Sequence, residues 1–330
     1  MPARQKGLAL ITAMLVVAIA ATTAAYLSLD QQIWLRQAQN LSDRAQAEVV
    51  RAGALEWAFI ILAKDAKDNQ TDDLTENWAK PLPPLAVEGG QVTGLITDAH
   101  ALFNLNNLVL NGKPNPPDVG TFRHLLESLS LDPNLIDAVI DWIDDNGDNK
   151  QPYGAEDLDY LQMKTPYRAA NQPMTSVDEL RLVRGFTQEI VDKLRPLVTV
   201  LPSGTEINVN TAPKEVLAAL FYTLTDPAAI EQVVAQRPYK SMEEIRAKNP
   251  GLPVGDKKTI PSYGIKSSYF EVTVETQFGR YQRTTQALIH RDANDSVSRI
   301  LWHRQRLPTK MATANAAPGE KSNTMSDGNI

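Results

Sequence analysis

The chain has 330 residues, a formal net charge of −6 and no cysteine. The lack of cysteine excludes disulfides, cysteine nucleophiles and thiolate metal sites. The acidic balance weighs against nucleic acid as the main partner, and the length suffices for one large or two modest domains.

The N-terminus combines a short basic leader with a long apolar run. Arg4 and Lys6 precede this run, and no charged residue occurs between Lys6 and Asp30. As a helix with a rise of about 1.5 Å per residue, residues 8–29 would reach roughly 33 Å, enough to cross a bilayer core of about 30 Å. The positive charges on the leader predict a cytoplasmic N-terminus, with the remainder of the chain outside the cytoplasm.

Three fates remain open for this apolar segment. Thr23, Ala24 and Ala25 offer a small-residue site at which a secretory signal peptide could be cut. The glycine at Gly7, directly before Leu8, instead resembles the leader of type IV prepilins, which a prepilin peptidase cuts after the glycine so that the helix is kept. A plain, uncleaved anchor is the third alternative. The sequence favours prepilin-type processing between Gly7 and Leu8.

The helical pattern continues beyond the apolar run. Apolar or small residues recur at spacings of three or four from Ile33 to Leu62, and no proline occurs from residue 3 to residue 80. We therefore predict one helix from residue 8 to about residue 63, on the order of 80 Å long. An anchor followed by a separate helix remains the alternative.

Strand patterns flank a long helical section. Residues 91–97 predict a strand that continues through residues 101–106. Residues 269–276 alternate apolar and polar side chains, and a turn at 278–280 leads into a return strand at 281–290. Because the section between these strands reads as helical, we predict an α+β fold interrupted by an all-α insertion.

Residues 141–159 form an acidic stretch with seven carboxylates against one lysine. Turn-forming residues indicate a loop, and hard oxygen ligands on a turn are what Ca²⁺ prefers. The spacing starts like an EF-hand, but its twelfth position is Ala155 and the glutamate comes one residue late. A solvated loop that caps neighbouring helices is the alternative. The predicted calcium ligands are Asp144, Asn146, Asp148, Glu156 and Asp157, with Asp159 as a further candidate.

The sequence contains no evident catalytic constellation, and we predict a protein that is not an enzyme. Its four histidines are scattered without partners that would suggest a triad. The capping box at Ser176 and Glu179 and the segment 207–212 resemble helix-hairpin-helix modules of DNA-uptake proteins. Few cations lie near these modules and their surroundings are acidic, which favours a scaffold over DNA binding. A membrane-anchored, periplasmic helix-hairpin-helix protein that binds DNA is nevertheless the alternative function.

The whole ordered chain, rather than one motif, resembles the type II secretion minor pseudopilin K (GspK) family, with matching segments in the same order over more than two hundred residues. The resemblance implies a pilin-like fold, with a long N-terminal helix packed on an antiparallel sheet, and a large all-α inserted domain of helix-hairpin-helix or SAM-like type that binds calcium through acidic loops. The matching segments are Gly7-Leu8 and residues 101–107, 141–144, 154–157, 169–174 and 207–212.

The resemblance also implies a division of the chain. The parts are a leader (1–7), a transmembrane or filament-core half-helix (8–29), a first pilin-like part (30–107), the inserted α-domain (108–264), a second pilin-like part with the β-hairpin (265–307) and a tail (308–330). We predict that the tail is disordered, because it has almost no large apolar residue to bury.

One position bears on the role within a filament. Most pilins and pseudopilins carry glutamate as the fifth mature residue, where it is thought to neutralise the amine of an adjoining subunit. Counted from Leu8, the fifth residue here is Thr12, which cannot make that pair. In the family, this departure and the bulky insertion go with a place at the tip of the filament.

The resemblance thus implies a subunit that caps the pseudopilus tip and initiates its assembly, for export of folded proteins across the outer membrane. Its anchor would lie in the inner membrane as a single pass, with Leu8 N-methylated and most of the chain in the periplasm. The implied partners are the other minor pseudopilins of the tip complex (I and J types), the major pseudopilin and prepilin peptidase, with no nucleic acid.

Overall fold

The computed structural model describes residues 3–147, 153–224, 226–253, 260–292 and 298–306. Its first element is helix α1 (Ala3–Asp68), a continuous helix of 66 residues. At about 1.5 Å per residue it is roughly 100 Å long. The predicted single helix is therefore confirmed, and it ends a few residues later than expected.

An antiparallel sheet packs against the second half of α1. Within the described residues it has five strands in the order β1-β2-β9-β10-β11. The hairpin predicted from the alternating pattern is β9 and β10, joined by a tight turn in which Gly279 has a positive φ of 53°. The five strands are β1 (Leu82–Val87), β2 (Gly90–Asp98), β9 (Tyr269–Phe278), β10 (Tyr281–Arg291) and β11 (Ser298–Arg306).

One face of this sheet forms a core with α1. Every second residue of β9 is buried, and Val272 and Val274 pack with Leu55 and Leu62 of the helix. Burying an aliphatic side chain of this size stabilises the fold by about 1.5–3 kcal/mol. The period-two pattern in the sequence thus marks the side of the sheet that α1 covers.

The chain between β2 and β9 forms a second, larger core of its own. The rings of Phe103 and Phe122 stack there with centroids 5.4 Å apart, and both side chains are buried. The helices of this section are α2 (Pro116–Ser128), α3 (Leu135–Ile143), α4 (Asp157–Leu161), α5 (Gln188–Leu194), α6 (Lys214–Leu220), α7 (Pro227–Ala235) and α8 (Met242–Lys248), with 3₁₀ turns at Ala99–Ala101, Leu105–Leu108 and Val177–Leu182. Its two-residue strands are β3 (Phe103–Asn104), β4 (Val109–Leu110), β5 (Lys113–Pro114), β6 (Val198–Thr199), β7 (Ile207–Asn208) and β8 (Tyr263–Gly264).

A buried arginine joins the end of α1, the sheet and the helical section. Arg291, 6% exposed, ends β10. Its Nη1 lies 2.9 Å from Oδ2 of Asp65 and its Nη2 lies 2.5 Å from Oδ1 of Asp72. The Nη2 group also donates to the carbonyl oxygen of Ser267 over 2.7 Å, and the guanidinium lies 4.5 Å above the ring of Phe270.

A second buried polar cluster lies beside this arginine. The amide nitrogen of Asn208 donates to Oδ2 of Asp98 over 3.0 Å and to the carbonyl oxygen of Asp72 over 3.0 Å. The hydroxyls of Thr211 and Ser267 donate to the same Oδ2 atom over 2.5 and 2.6 Å. Because buried polar groups are costly unless they are paired, these bonds fix how the helical section sits on the sheet.

The prediction that the strand continues through residues 101–106 is wrong. The side chain of Asp98 accepts a hydrogen bond from the backbone of His100, and that of Asn104 accepts one from the backbone of Asn106. Side chains that bond the backbone two residues on favour turns over strands. Two 3₁₀ turns therefore replace the strand, with only Phe103–Asn104 extended between them.

The sequence patterns also miss the two edge strands, β1 and β11. Strand β1 contains Pro83 and Pro84, and prolines in a strand are confined largely to sheet edges because they cannot donate to a ladder. Strand β11 lacks a period-two apolar pattern because most of its side chains are exposed.

The first testable prediction concerns Arg291. Replacement by methionine keeps an unbranched apolar stem but leaves two buried carboxylates without their cation, so we expect a loss of about 3–5 kcal/mol in the free energy of unfolding. The measurement is thermal unfolding of the full chain in detergent. The control is Arg280→Met in the exposed β9–β10 turn, which should change stability by less than about 0.5 kcal/mol. Equal effects of the two substitutions would contradict the structural role of Arg291.

Candidate functional site

The acidic stretch begins at the end of helix α3. Asp141 and Asp144 lie three residues apart, so both project from the same side of the helix end. Asp141 is fully buried and Asp144 is 1% exposed. The backbone N–H of Asp144 donates to the carbonyl oxygen of Ile140 over 2.9 Å and closes the last turn. The structure therefore places two carboxylates in the interior, where ions are costly without compensating charge.

Glu156 faces these two carboxylates from the start of helix α4. The residue is 8% exposed, and its buried Oε1 atom accepts no hydrogen bond from the described part of the chain. Burial, together with the negative charges of Asp141, Asp144, Asp157 and Asp159, raises the pKa of Glu156 to about 7. A buried acceptor without a donor, surrounded by like charges, is an arrangement that a bound cation stabilises.

Asp157 and Asp159 have a different environment from Glu156. Asp157 accepts hydrogen bonds from Arg168 over 3.2 Å and from the backbone of Ala169 over 3.1 Å. Asp159 accepts one from Arg184 over 3.1 Å and one from the backbone of Glu156 over 3.1 Å. Both carboxylates thus hold neighbouring segments together, which leaves them less available as metal ligands than the sequence pattern indicates.

The remaining predicted ligands are Asn146 and Asp148. Asn146 is partly exposed just beyond the end of α3, and Asp148 lies outside the described residues. Asp141 was not among the predicted ligands, although its position three residues before Asp144 on a helix indicates that the two carboxylates share one side. The arrangement combines Asp141, Asp144 and Glu156 as buried carboxylates, with Asn146 at the rim.

The tightest group of carboxylates in the described chain lies elsewhere. Oxygen atoms of Asp65, Asp72 and Glu76 lie within 4.8 Å of one another, and by this measure the described residues of the acidic loop form no such trio. However, Arg291 already pairs with Asp65 and Asp72. Glu76 Oε2 accepts a hydrogen bond from the indole of Trp78 over 2.6 Å. The positive charge that this group requires is therefore already supplied by Arg291.

The first half of α1 is the other candidate functional element. Among the described residues, one helix is long and apolar enough to span a membrane, and it begins in this half. Its large side chains are exposed, including Leu10, Ile11 and Met14. Thr12 is exposed as well, and its hydroxyl donates to the carbonyl oxygen of Ala9 over 3.0 Å. Such internal bonds let a hydroxyl lie in an apolar environment without an unpaired donor.

The predicted cleavage site lies inside this helix. The backbone is helical from Ala3 through Gly7 and Leu8.

Beyond the apolar half, α1 keeps an exposed apolar stripe where the sheet does not cover it. Leu41, Val49 and Ile60 are 68%, 73% and 65% exposed. A long helix with an uncovered apolar stripe is suited to packing against another helix.

The segments that resemble helix-hairpin-helix modules carry cations that are already paired. Arg184, next to the hairpin glycine, bonds to Asp159 as described above. Lys193 lies 3.3 Å from Glu189, and Lys214 lies 2.6 Å from the carboxylate of Glu231. Pairing with carboxylates lowers the positive potential that a phosphate backbone requires.

Comparison with known proteins assigns the chain to one group. Two family profiles described as "Type II secretion system (T2SS), protein K" match residues 101–203 and 207–265. The type II secretion system protein K of Pseudomonas aeruginosa is 32% identical over 89% of this chain and 91% of its own length. The protein K of Aeromonas hydrophila is 33% identical over 84% of this chain and 90% of its own length.

A solved structure gives the same result. The GspK-GspI-GspJ complex of the type 2 secretion system of enterotoxigenic Escherichia coli contains a chain that superposes with a TM-score of 0.71 at 26% identity. The match covers 82% of this chain and all of the other. Sequence identity over nearly the whole length, the long exposed helix and the shared fold together establish that this chain belongs to the type II secretion system protein K family.

Proposed function

We propose that this minor pseudopilin caps the tip of the type II secretion pseudopilus and initiates its assembly. The observation that carries the proposal is the place of the helical section. Asn208 of this section donates to the carbonyl oxygen of Asp72, and Lys240 pairs with Asp73, just after α1 ends at Asp68, so the section lies at the end opposite the apolar half. A bulky section at that end would obstruct a further subunit above this one, whereas the apolar half and the exposed stripe on α1 remain available to subunits alongside and below.

The proposed partners are minor pseudopilins of the I and J types, together with the major pseudopilin. The E. coli relative was solved as a GspK-GspI-GspJ complex, and the exposed stripe of Leu41, Val49 and Ile60 on α1 offers a surface for neighbouring helices. The role is one of assembly, with no chemical step assigned to the chain. The insertion boundaries at 108–264 and the helix-hairpin-helix or SAM-like character of the inserted section are part of the same proposal.

The anchor is proposed to lie in the inner membrane, with a cytoplasmic leader and a periplasmic head. Arg4 and Lys6 on the leader side support this orientation. Prepilin peptidase would cut between Gly7 and Leu8, leaving Leu8 as the N-methylated first residue of the mature helix.

Intact-mass measurement after co-expression with a prepilin peptidase tests the processing. We expect loss of residues 1–7, with or without one methyl group, because the apolar helix places Gly7 at the cytoplasmic side of the membrane. The matched control is Gly7→Val, which should retain the leader. An unchanged native chain, or cleavage after Ala25, would contradict prepilin-type processing.

A second prediction concerns Thr12 and the position in the filament. Labelled protein should appear at one end of pseudopili built from overexpressed major pseudopilin, as seen by immunogold electron microscopy. Thr12→Glu supplies the carboxylate that could pair with a neighbouring amine; label along the shaft would show that Thr12, rather than the bulk of the helical section, keeps the chain at the end. The uncharged control Thr12→Val should remain at the end. Native protein along the shaft would refute tip capping, and Thr12→Glu confined to the end would refute only the role of Thr12.

We further propose that the acidic loop binds calcium. The residues suited to the ion are Asp144 and Glu156, with Asp141 and Asn146 beside them, and the buried, unbonded Oε1 of Glu156 supports this assignment. Asp148 remains a proposed ligand outside the described residues, and Asp157 and Asp159 are weaker candidates because of their hydrogen bonds. A bound ion would offset the buried negative charge and so stabilise the inserted section.

Thermal unfolding with calcium, magnesium or a chelator tests this proposal. Calcium should raise the melting temperature of the full chain in detergent by several degrees, and magnesium should not. The double variant Asp144→Asn with Glu156→Gln should lose the calcium response, because it keeps the shapes but removes the charges.

The variants Asp157→Asn and Asp159→Asn separate ligands from structural carboxylates. If these side chains act through Arg168 and Arg184, each substitution should lower the melting temperature by a similar amount with and without calcium. Loss of the calcium response in either would make that residue a ligand. An unchanged melting temperature of the native protein on addition of calcium would show that the loop binds no calcium.

A further inference from the structure

Strand β11 presents an open edge of the main sheet. On one side it pairs with β10, from Ser298 opposite Arg291 to Arg306 opposite Thr284. No other backbone hydrogen bond between described residues reaches this strand. At about 3.4 Å per residue, its nine residues offer roughly 30 Å of edge.

The opposite edge of the sheet differs in its chemistry. Strand β1 carries Pro83 and Pro84, and its register shifts between Leu82 and Leu85. Proline cannot donate to a ladder, and an irregular edge pairs poorly with an added strand. Strand β11 contains no proline, although its pairing with β10 shifts once near Leu288. Of the two edges, only that of β11 keeps all its N–H donors.

Both faces of β11 are held in place by the rest of the molecule. On one face, the side-chain amide of Gln305 donates to Glu48 of α1 over 2.8 Å. On the other face, Arg304 donates to the hydroxyl of Ser176 over 2.9 Å and to the carbonyl oxygen of Thr175 over 3.1 Å. A strand that is fixed on both faces loses little further conformational entropy when another strand pairs with it.

The composition of β11 indicates the charge of a fitting partner. The strand holds Arg299, Arg304, Arg306 and His303, with no carboxylate of its own, although Arg306 lies 3.5 Å from Asp178. Ile300 and Leu301, 38% and 41% exposed, lie among these cations. A cavity of about 220 Å³ borders the strand beside Trp302 and gives room for side chains on that face; because Asp178 and Glu271 also line it, it suits the apolar side chains of a partner rather than its carboxylates.

A second copy of this chain is a poor occupant. Pairing two β11 strands would bring three arginines from each onto one junction, and like charges across paired strands are destabilising. Charged residues on an edge are also a common protection against self-pairing. The same charges attract an extended segment of the opposite sign.

We propose that β11 accepts, by strand addition, an extended segment of another protein in which carboxylates alternate with apolar side chains. Backbone hydrogen bonds along the edge would supply affinity, and the arginines with Ile300 and Leu301 would select the sequence. This surface is separate from the apolar stripe on α1, so it does not depend on the position of the subunit in a filament.

Fluorescence anisotropy with defined peptides tests the proposal on the full chain in detergent. The probe is a labelled nine-residue peptide of alternating glutamate and valine, and a lysine–valine peptide is the charge control. A glutamate–valine peptide with every backbone amide methylated keeps the charge but cannot pair as a strand. We expect binding of the first, none of the second and at least a tenfold weaker affinity for the third.

Two further measurements locate the binding. Hydrogen exchange should show new protection of backbone amides in residues 298–306 when the first peptide is present. Arg299 and His303 are exposed, and the double substitution Arg299→Glu with His303→Glu should weaken binding of the glutamate peptide and strengthen binding of the lysine peptide. The circular dichroism spectrum of the chain should be unchanged. Absence of binding, equal binding of the methylated peptide, or dimerisation of the chain through this edge would each overturn the proposal.

Discussion

The structure depends on the burial of one arginine between two acidic side chains that lie far from it in the sequence. Arg291 at the end of β10 binds Asp65 at the end of α1 and Asp72 in the segment that follows. An ion pair removed from water stabilises a fold only where its geometry is good and its remaining donors are paired. Here the carbonyl oxygen of Ser267 and the ring of Phe270 complete the surroundings of the guanidinium.

This junction determines what the long helix can do. The sheet packs on the second half of α1 and the helical section is held just beyond the end of the helix, whereas the apolar half of α1 is exposed and the exposed stripe continues along the second half. This junction, with the hydrogen bond from Asn208 to Asp72, keeps the helical section at the end away from the apolar half. The segment proposed to anchor the chain and the section proposed to end the filament thus lie at opposite ends of α1.

Sequence patterns predicted the parts of this fold that follow a regular period. Helix α1 has no proline to interrupt it, and the β9–β10 hairpin alternates because α1 covers one of its faces. The edge strands were missed because most side chains of β11 are exposed and because β1 contains proline. The two 3₁₀ turns were not predicted because they depend on hydrogen bonds from the nearby backbone to the side chains of Asp98 and Asn104. The spacing of apolar residues contains no information on such bonds.

The candidate calcium site illustrates a different limit. Spacing singled out Asp144 and Glu156, and the structure places them at two helix ends that meet in the interior. The spacing could not distinguish Asp144 and Glu156 from Asp157 and Asp159, since neighbouring carboxylates look alike in a sequence. Their roles diverge through Arg168 and Arg184, which are more distant in the chain and approach only after folding. Carboxylates paired with arginine attract a cation less strongly, so the distribution of arginines, rather than the density of acids, determines where a metal ion would be held.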